Sequence, residues 1–218
     1  MKKIVLSLSL TILTSFYLLS CKCDTETTSN HVAKTSGDVV EEVVVVNNNG
    51  TLDENNNYIY SVGEISDIIL PNNDTLNIGE FSTEKKLINQ LNDQKFSVNI
   101  DKTKDWITLD RVYFDINKSV ITDNSLVQID NIAKILKAYP TATLKIGGYT
   151  DNTGDAAINK KISTNRADEV AKALVSKGIS ANRISTEGYG DQHFLCEAND
   201  TDLCRAQNRR VDIRITKK

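Results

Sequence analysis

Downstream of Trp106, hydrophobic positions follow two different periods along the chain. Two segments carry apolar residues at three- and four-residue spacing, the pattern of a helix with one buried side. These helices are predicted over Asp123–Tyr139, which Pro140 ends, and over Asp155–Lys177, which Gly178 ends. Strands are predicted at Ile107–Phe114, Thr143–Tyr149, Arg183–Gly188 and Arg210–Thr216. The order β-α-β-α-β-β favours an α+β domain of two layers, with the helices on one face of a single sheet.

Upstream of Trp106 the pattern is less regular and predicts two further segments. Residues 58–104 contain two short predicted strands, Ile65–Leu70 and Thr75–Ile78, around a Pro-Asn-Asn-Asp turn, followed by a predicted helix over Ser82–Asn92. We expect this small strand–helix segment to pack on the main domain of residues 105–218. Residues 21–57 are rich in Thr, Ser, acidic residues and Asn, which predicts a flexible tether. As a flexible chain, ~36 residues span roughly 30–35 Å.

Residues 1–20 have the layout of an export signal, because Lys2 and Lys3 precede an apolar run of about 16 residues without acidic side chains. That run is shorter than the ~20 residues that a membrane-spanning helix needs. The following Leu18-Leu19-Ser20-Cys21 resembles a bacterial lipobox. The resemblance implies cleavage before Cys21 and acylation of its thiol and amine; each buried CH₂ then contributes ~0.8 kcal/mol to anchoring. The alternative is an ordinary signal peptide with a chance cysteine.

Charge and composition exclude several classes of function. The 218 residues carry 26 basic and 29 acidic side chains, a net charge of −3, which excludes a polybasic nucleic-acid binder. Residues 21–104 hold 7 basic and 14 acidic side chains, against 17 and 15 in residues 105–218, so the leader is acidic and the main domain mildly basic. The two histidines, His31 and His193, argue against a multi-histidine metal site, and neither lies in a catalytic pattern. No cofactor is indicated.

Two of the four cysteines, Cys196 and Cys204, lie eight residues apart in one polar loop, beside a predicted helical turn near Asp202–Asn208. In an oxidising compartment they are the natural disulfide pair, and closing so short a loop contributes about 2.5 kcal/mol in the chain-entropy model. A cysteine-based metal site is the rival interpretation, but no second cysteine pair or histidine stands nearby. Cys23 receives no role.

Polar residues gather where the strand Thr143–Tyr149 leads into the following helix, a place where backbone N–H groups attract them. Asp151 lies in this connection. Within the helix, Asn159, Ser163 and Arg166 stand at i, i+4 and i+7 and share one stripe beside the apolar side. An Asp and an Arg held there can bind a zwitterion, with the carboxylate on its ammonium and the guanidinium on its carboxylate. Spacing alone equally allows a purely structural ion pair between Asp151 and Arg166.

Several short motifs resemble, in their order and spacing over about half the chain, the OmpA-like C-terminal domain. They are Tyr113-Phe114-Asp115, Gly148-Tyr149-Thr150-Asp151-Asn152-Thr153-Gly154, Asn159, Ser163, Arg166-Ala167, Gly188-Tyr189-Gly190 and Asn208-Arg209-Arg210-Val211. Together with the lipobox, the whole chain is similar to a peptidoglycan-associated lipoprotein. The resemblance implies non-catalytic binding of the peptide stem of peptidoglycan.

By position in the motifs, the resemblance implies that Asp151 and Arg166 hold the carboxylate–amine end of meso-diaminopimelate. Asn159 and Arg209 match supporting contacts, and either Asn117 or Thr150 matches a further residue lining the pocket. The sequence also departs from the family: Tyr149 stands where many members have His. In addition, the loop between Gly190 and Asn208 lacks the usual Pro and carries the cysteine pair, and residues 22–105 have no counterpart in the minimal domain.

The resulting hypothesis is an outer-membrane lipoprotein, anchored by lipid on Cys21, whose domain faces the periplasm and ties the membrane to peptidoglycan. A surface-exposed lipoprotein acting as an adhesin or interaction protein is the alternative. An enzyme acting on peptidoglycan would need a nucleophile or a metal site, and the sequence shows neither. A flagellar stator would need a retained membrane helix with an acidic residue, and residues 4–19 contain none. Protein partners in the membrane are not indicated.

Overall fold

The computed structural model describes residues 50–114 and 119–218. The predicted signal peptide, Cys21, Cys23, most of the predicted tether and Asn117 lie outside these residues. The described residues fall within one compact unit.

Five short elements precede the main sheet. Strands β1 (Thr51–Leu52) and β2 (Tyr58–Ile59) form an antiparallel pair, as do β3 (Ile65–Ile69) and β4 (Thr75–Gly79). Helix α1 (Thr83–Asn92) begins where the Ser82 hydroxyl accepts the backbone N–H of Lys85 at 3.2 Å. β3, β4 and α1 agree with the sequence prediction to within one residue. β1 and β2 were not predicted, and β1 lies within residues 21–57, which the sequence assigned to a flexible tether.

The main sheet has four strands in the order β5-β8-β6-β7. They are β5 (Ile107–Thr108), β6 (Thr143–Tyr149), β7 (Ile184–Gly190) and β8 (Val211–Lys217). β6 and β7 are parallel, whereas β8 is antiparallel to both of its neighbours. The parallel pair is the consequence of the crossover helix between β6 and β7.

Three helices accompany the sheet: α2 (Leu126–Ala138), α3 (Ala156–Ser176) and α4 (Asp202–Asn208). The Asp155 carboxylate caps α3 by accepting the N–H groups of Ala157 and Ile158, and Gly178 ends it with a φ of +91°. Of the helices that the structure describes, none has both the length and the apolar character to cross a bilayer. The described chain is thus an α+β fold, as the sequence predicts.

The predicted strand Ile107–Phe114 is too long. The structure keeps only Ile107–Thr108 in the sheet, apart from one more backbone bond from Leu109 and an isolated bridge at Phe114. Between these points the backbone N–H groups bond to side chains of other elements: that of Arg111 donates to Gln128 Oε1, and that of Tyr113 to Ser125 Oγ. Apolar alternation cannot reveal such partners.

One hydrophobic core joins the N-terminal segment to the main sheet. It includes Leu76, Ile78 and Leu87 from the first part of the chain and Ile132, Ile146, Val170 and Ile213 from the second. The 58–104 segment therefore buries its apolar face against the rest of the domain. The boundary near residue 104 remains a sequence prediction, since the core runs across it.

Helix α3 lies unusually close to the sheet. A Cβ added to Gly148 would stand 2.0 Å from the backbone oxygen of Ser163, and one added to Gly188 would stand 2.3 Å from the backbone nitrogen of Thr164. Only glycine fits at these two crossings. The middle of α3 therefore packs directly on β6 and β7.

A buried polar network holds α1 against α2 and the chain that follows β5. The Glu84 carboxylate, fully buried, forms an ion pair with Arg111 and accepts from the Gln128 and Asn131 amides at 3.2 and 3.0 Å. The Asp110 carboxylate accepts the backbone N–H of Thr83 at 2.8 Å and the Gln128 amide at 2.5 Å. Two carboxylates thereby bind donors from three parts of the chain.

Replacing Glu84 by Ala should lower the free energy of unfolding by about 3 kcal/mol, because Arg111 and two amides lose their acceptor in a buried site. Urea unfolding followed by circular dichroism measures this loss. The control is Glu80→Ala at an exposed position, for which we expect a change within about 0.5 kcal/mol. A loss below about 1 kcal/mol for Glu84→Ala would contradict the network's role.

Candidate functional site

A cavity of about 320 Å³ opens beside the end of β6. Its wall comes from the loop after β6, the first half of α3, the region of α4, residues 109–114 and residues 55–60. The sequence-predicted residues Asp151, Asn159, Arg166 and Arg209 all line it. Residues far apart in the chain are therefore brought to one cavity.

Asp151 lies two residues beyond the end of β6, and its carboxylate accepts several hydrogen bonds. Oδ1 accepts the backbone N–H of Thr153 at 3.0 Å and the Thr153 hydroxyl at 2.5 Å, and Oδ2 accepts Arg209 Nη1 at 2.8 Å. Burial raises the pKa of Asp151, but the hydrogen bonds from Thr153 and Arg209 outweigh it, and the pKa lies below its ordinary value. The group is a carboxylate at neutral pH.

The stripe on α3 that the sequence predicts is buried along its length: Asn159, Ser163 and Arg166 are 5%, 0% and 6% exposed. The Asn159 amide donates to the backbone oxygen of Thr153 at 3.0 Å, and the Ser163 hydroxyl accepts the backbone N–H of Gly190 at 2.9 Å. Asn159 therefore holds the loop after β6 against α3, and Ser163 holds the end of β7 against α3.

Arg166 is a cation held in a poorly solvated position. Its guanidinium lies over the Phe114 ring, 5.1 Å from the centroid. Burial, and then repulsion by Arg209, lower the pKa of Arg166 to about 10, while Asp151 acts in the opposite direction. A pKa of about 10 still leaves Arg166 charged at neutral pH.

Arg209 bridges two parts of the site. Nη1 bonds to Asp151, and Nη2 donates to the backbone oxygen of Asn56 at 2.8 Å. Asn56 belongs to the turn between β1 and β2, where its φ is +58°. Arg209, predicted only as a supporting residue, is therefore an ion-pair partner of Asp151 and the link to the N-terminal hairpin.

Sequence reasoning missed the contribution of residues 55–60 and assigned no role to Arg210. The Arg210 Nε donates to both oxygens of Asp212 at 3.2 and 3.0 Å, and its guanidinium carbon lies 3.9 Å from the centre of the Tyr149 ring. Arg210 and Asp212 stand two residues apart in the predicted strand Arg210–Thr216, so the alternation of an extended chain carried the signal for this pair. Nothing in the periodicity links Asn56 to the site.

The loop before α4 is closed by a disulfide between Cys196 and Cys204, with the two Cα atoms 5.3 Å apart. Asn208 binds the same loop: its Oδ1 accepts the backbone N–H groups of Leu195 and Cys196 at 2.9 and 3.1 Å. The disulfide thus links α4 to the loop that precedes it. Arg209, a residue of the cavity, directly follows α4. Among residues 50–114 and 119–218, no group of three or more His, Cys, Asp or Glu side chains is arranged to hold a metal ion.

Comparisons with known proteins relate part of this chain to one family. Residues 113–209 match the model of the OmpA family. The chain is 35% identical over 122 residues to the protein named Probable lipoprotein YiaD from Escherichia coli, covering 55% of each chain. It is 44% identical over 85 residues to the Peptidoglycan-binding protein ArfA of Mycobacterium bovis, covering 39% of this chain and 26% of ArfA.

A third relative is a longer protein, and one solved structure is matched over nearly its whole length. The chain is 40% identical over 101 residues to Outer membrane porin F of Pseudomonas fluorescens. The match covers 46% of this chain and 31% of the porin. Among solved structures, the peptidoglycan-associated lipoprotein of Burkholderia pseudomallei aligns with a TM-score of 0.47 at 25% identity, covering 58% of this chain and 99% of that one.

In protein exported to an oxidising compartment, Cys196 and Cys204 should be bonded, so that thiol alkylation without a reductant labels neither of them. Reduction should lower the free energy of unfolding by about 2–3 kcal/mol, because the unfolded chain regains the entropy of the open loop. Mass spectrometry of alkylated peptides measures the first and urea unfolding the second. Free thiols at both positions in the exported protein would contradict the bond.

Proposed function

We propose that this chain, whose residues 113–209 form an OmpA-like domain, binds peptidoglycan without catalysis and ties it to the outer membrane. The relatives support this proposal: one is named a peptidoglycan-binding protein, another a probable lipoprotein, and others outer-membrane proteins. The ligand is the peptide stem, at the carboxylate–amine end of its diaminopimelate residue.

The observation that carries the proposal is the charge arrangement of the cavity. One buried carboxylate, Asp151, faces the same space as two guanidinium groups, Arg166 and Arg209. A ligand end with an ammonium and a carboxylate on one carbon complements such a set, since each charge finds its opposite at a fixed place.

Asp151 has room for the ammonium group. An ionised carboxylate offers about four acceptor positions. Thr153 uses two of them on Oδ1, and Arg209 uses one on Oδ2. One position therefore remains for a ligand N–H, and it can be used without breaking the ion pair with Arg209.

Arg166 is the proposed partner of the ligand carboxylate. Its planar fork of donors suits a bidentate carboxylate. Burial and the neighbouring Arg209 both act against the charged form of Arg166. A bound anion relieves both effects, so the interaction gains more than it would at the surface.

The tether belongs to the same proposal. Acyl chains on Cys21 would place the domain at the periplasmic side of the outer membrane, and the chain between Cys21 and β1 would give it reach toward the cell wall. The proposed location is therefore the outer membrane, through a lipid anchor.

Asp151→Asn and Arg166→Ala should each weaken binding to purified sacculi at least ~30-fold, because truncating one partner of a desolvated charge pair costs 2–5 kcal/mol. Co-sedimentation with sacculi over a range of protein concentration measures the change, and circular dichroism verifies folding. Lys172→Ala is the control, since Lys172 is exposed on α3 and pairs with Glu169 at 2.6 Å. Folded variants that sediment like the wild type would refute the site.

Cys21→Ala should leave an uncleaved precursor and remove the protein from the detergent phase in phase partition of membranes. Intact mass of the wild-type protein should show a chain that begins at residue 21 and carries added lipid mass. A mature chain that begins elsewhere and carries no lipid would overturn the anchor, while leaving the peptidoglycan proposal intact. Cys23→Ala is the matched control and should be processed normally.

A further inference from the structure

The hairpin of β3 and β4 presents apolar side chains to solvent. Ile65 and Ile69 of β3 are 59% and 73% exposed, and Phe81, two residues beyond β4, is 55% exposed. Side chains alternate along an extended strand, and the alternate residues Ile68 and Leu70 pack on the hydrophobic core. Isoleucines therefore occupy the solvent face of a strand whose other face is already packed.

The outer edge of β3 also presents backbone donors and acceptors. The Leu70 N–H donates to the Asp74 carbonyl at 2.8 Å and the Glu80 N–H to the Glu64 carbonyl at 2.9 Å, so the even-numbered residues form the bonded pairs of this hairpin. In an antiparallel ladder the alternate residues direct their N–H and C=O groups to the opposite edge. In β3 these residues are Ile65, Asp67 and Ile69. In the described part of the chain, no third strand joins this sheet.

The edge formed by β4 is less suited to a partner. Its exposed side chains, Thr75 and Asn77, are polar. At its end the Val62 carbonyl oxygen lies against Gly79, 2.2 Å from where a Cβ would stand, so the chain itself covers that position. The Asn77 amide donates to Asp67 Oδ1 at 2.8 Å. Of the two edges of the hairpin, β3 therefore offers the apolar one.

The hairpin and its flanks are acidic. Residues 58–81 contain no basic side chain and four acidic ones, which are Glu64, Asp67, Asp74 and Glu80. Asp67 stands midway between the two exposed isoleucines of β3. A strand with Lys or Arg opposite Asp67, and apolar side chains opposite the isoleucines, complements this face, because opposite charges and apolar pairs stabilise cross-strand neighbours.

We propose that the free edge of β3 binds an extended segment of a partner protein in which two apolar residues flank a basic residue at alternate positions. Backbone hydrogen bonds to Ile65, Asp67 and Ile69 provide the pairing, and their side chains select the sequence. A second copy of this chain fits less well, because two-fold antiparallel pairing about Asp67 sets two carboxylates opposite each other. The site lies outside residues 113–209 and does not depend on peptidoglycan binding.

The probe is a fluorescently labelled peptide of sequence Thr-Val-Thr-Lys-Thr-Val-Thr, which sets its two Val and its Lys opposite the isoleucines and Asp67. Fluorescence anisotropy with the full chain in detergent should show binding that weakens ~5-fold or more when Glu replaces Lys in the peptide. Asp67→Lys should invert this preference. Glu197→Lys is the matched control, since it makes the same charge change at an exposed position in the loop closed by the disulfide, and it should keep the wild-type preference.

Methylated peptides distinguish strand pairing from general charge attraction. N-methyl groups on the Val and Lys amides remove the donors that would face β3 and should weaken binding ~10-fold or more. N-methyl groups on the two Thr amides that flank Lys should leave the affinity nearly unchanged, because those amides would point away from β3. Undetectable binding of the Lys peptide, equal binding of the Lys and Glu peptides, or equal binding of the two methylated peptides would overturn the proposal.

A second copy as the occupant gives a different result. Sedimentation equilibrium of the full chain in density-matched detergent should show a monomer. A dimer that Ile69→Lys dissociates would assign the edge to a second copy and overturn the proposal. Asp67→Lys should sediment with sacculi like the wild type, so that failure of peptidoglycan binding and failure of this site are separate outcomes.

Discussion

The close contact between helix α3 and the parallel strands β6 and β7 is the constraint on which the rest of the site depends. Backbone atoms of Ser163 and Thr164 occupy the space that a Cβ on Gly148 or Gly188 would need. The helix therefore cannot slide or tilt without a clash. This contact sets the distance from Asp151, two residues beyond the end of β6, to the polar stripe of Asn159, Ser163 and Arg166 on α3. The same stripe then uses Asn159 and Ser163 to fix the loops that follow both strands.

The described residues that line the cavity include more arginines than aspartates. The Asp151 carboxylate faces the same cavity as Arg166 and accepts a hydrogen bond from Arg209. Arg210 donates to the carboxylate of Asp212. Burial raises the pKa of Asp212, while Arg210 acts against the rise. Asp212 thus compensates Arg210 within the protein, whereas the Asp151 carboxylate faces the same cavity as Arg166 and Arg209.

The sequence predicted the elements that depend on local signals. The bounds of β6 and α4 agree with it, and α3 differs only by its cap residues, because Asp155 and Gly178 mark the ends through local backbone geometry. The four predicted site residues do line one cavity. What periodicity could not supply is contact between distant segments: the side chains that turn Ile107–Phe114 away from the sheet, and the hairpin that brings Asn56 to Arg209.

That hairpin has a mechanical consequence. A chain anchored at Cys21 would enter the domain through β1, which is held to β2 by only two residue pairs. The turn that joins these strands binds Arg209 directly through the Asn56 carbonyl. Tension along such a chain would therefore act on the hydrogen bond between Asn56 and Arg209 before it acted on the hydrophobic core. The distance between the membrane and the cell wall would then affect how tightly the domain binds its ligand.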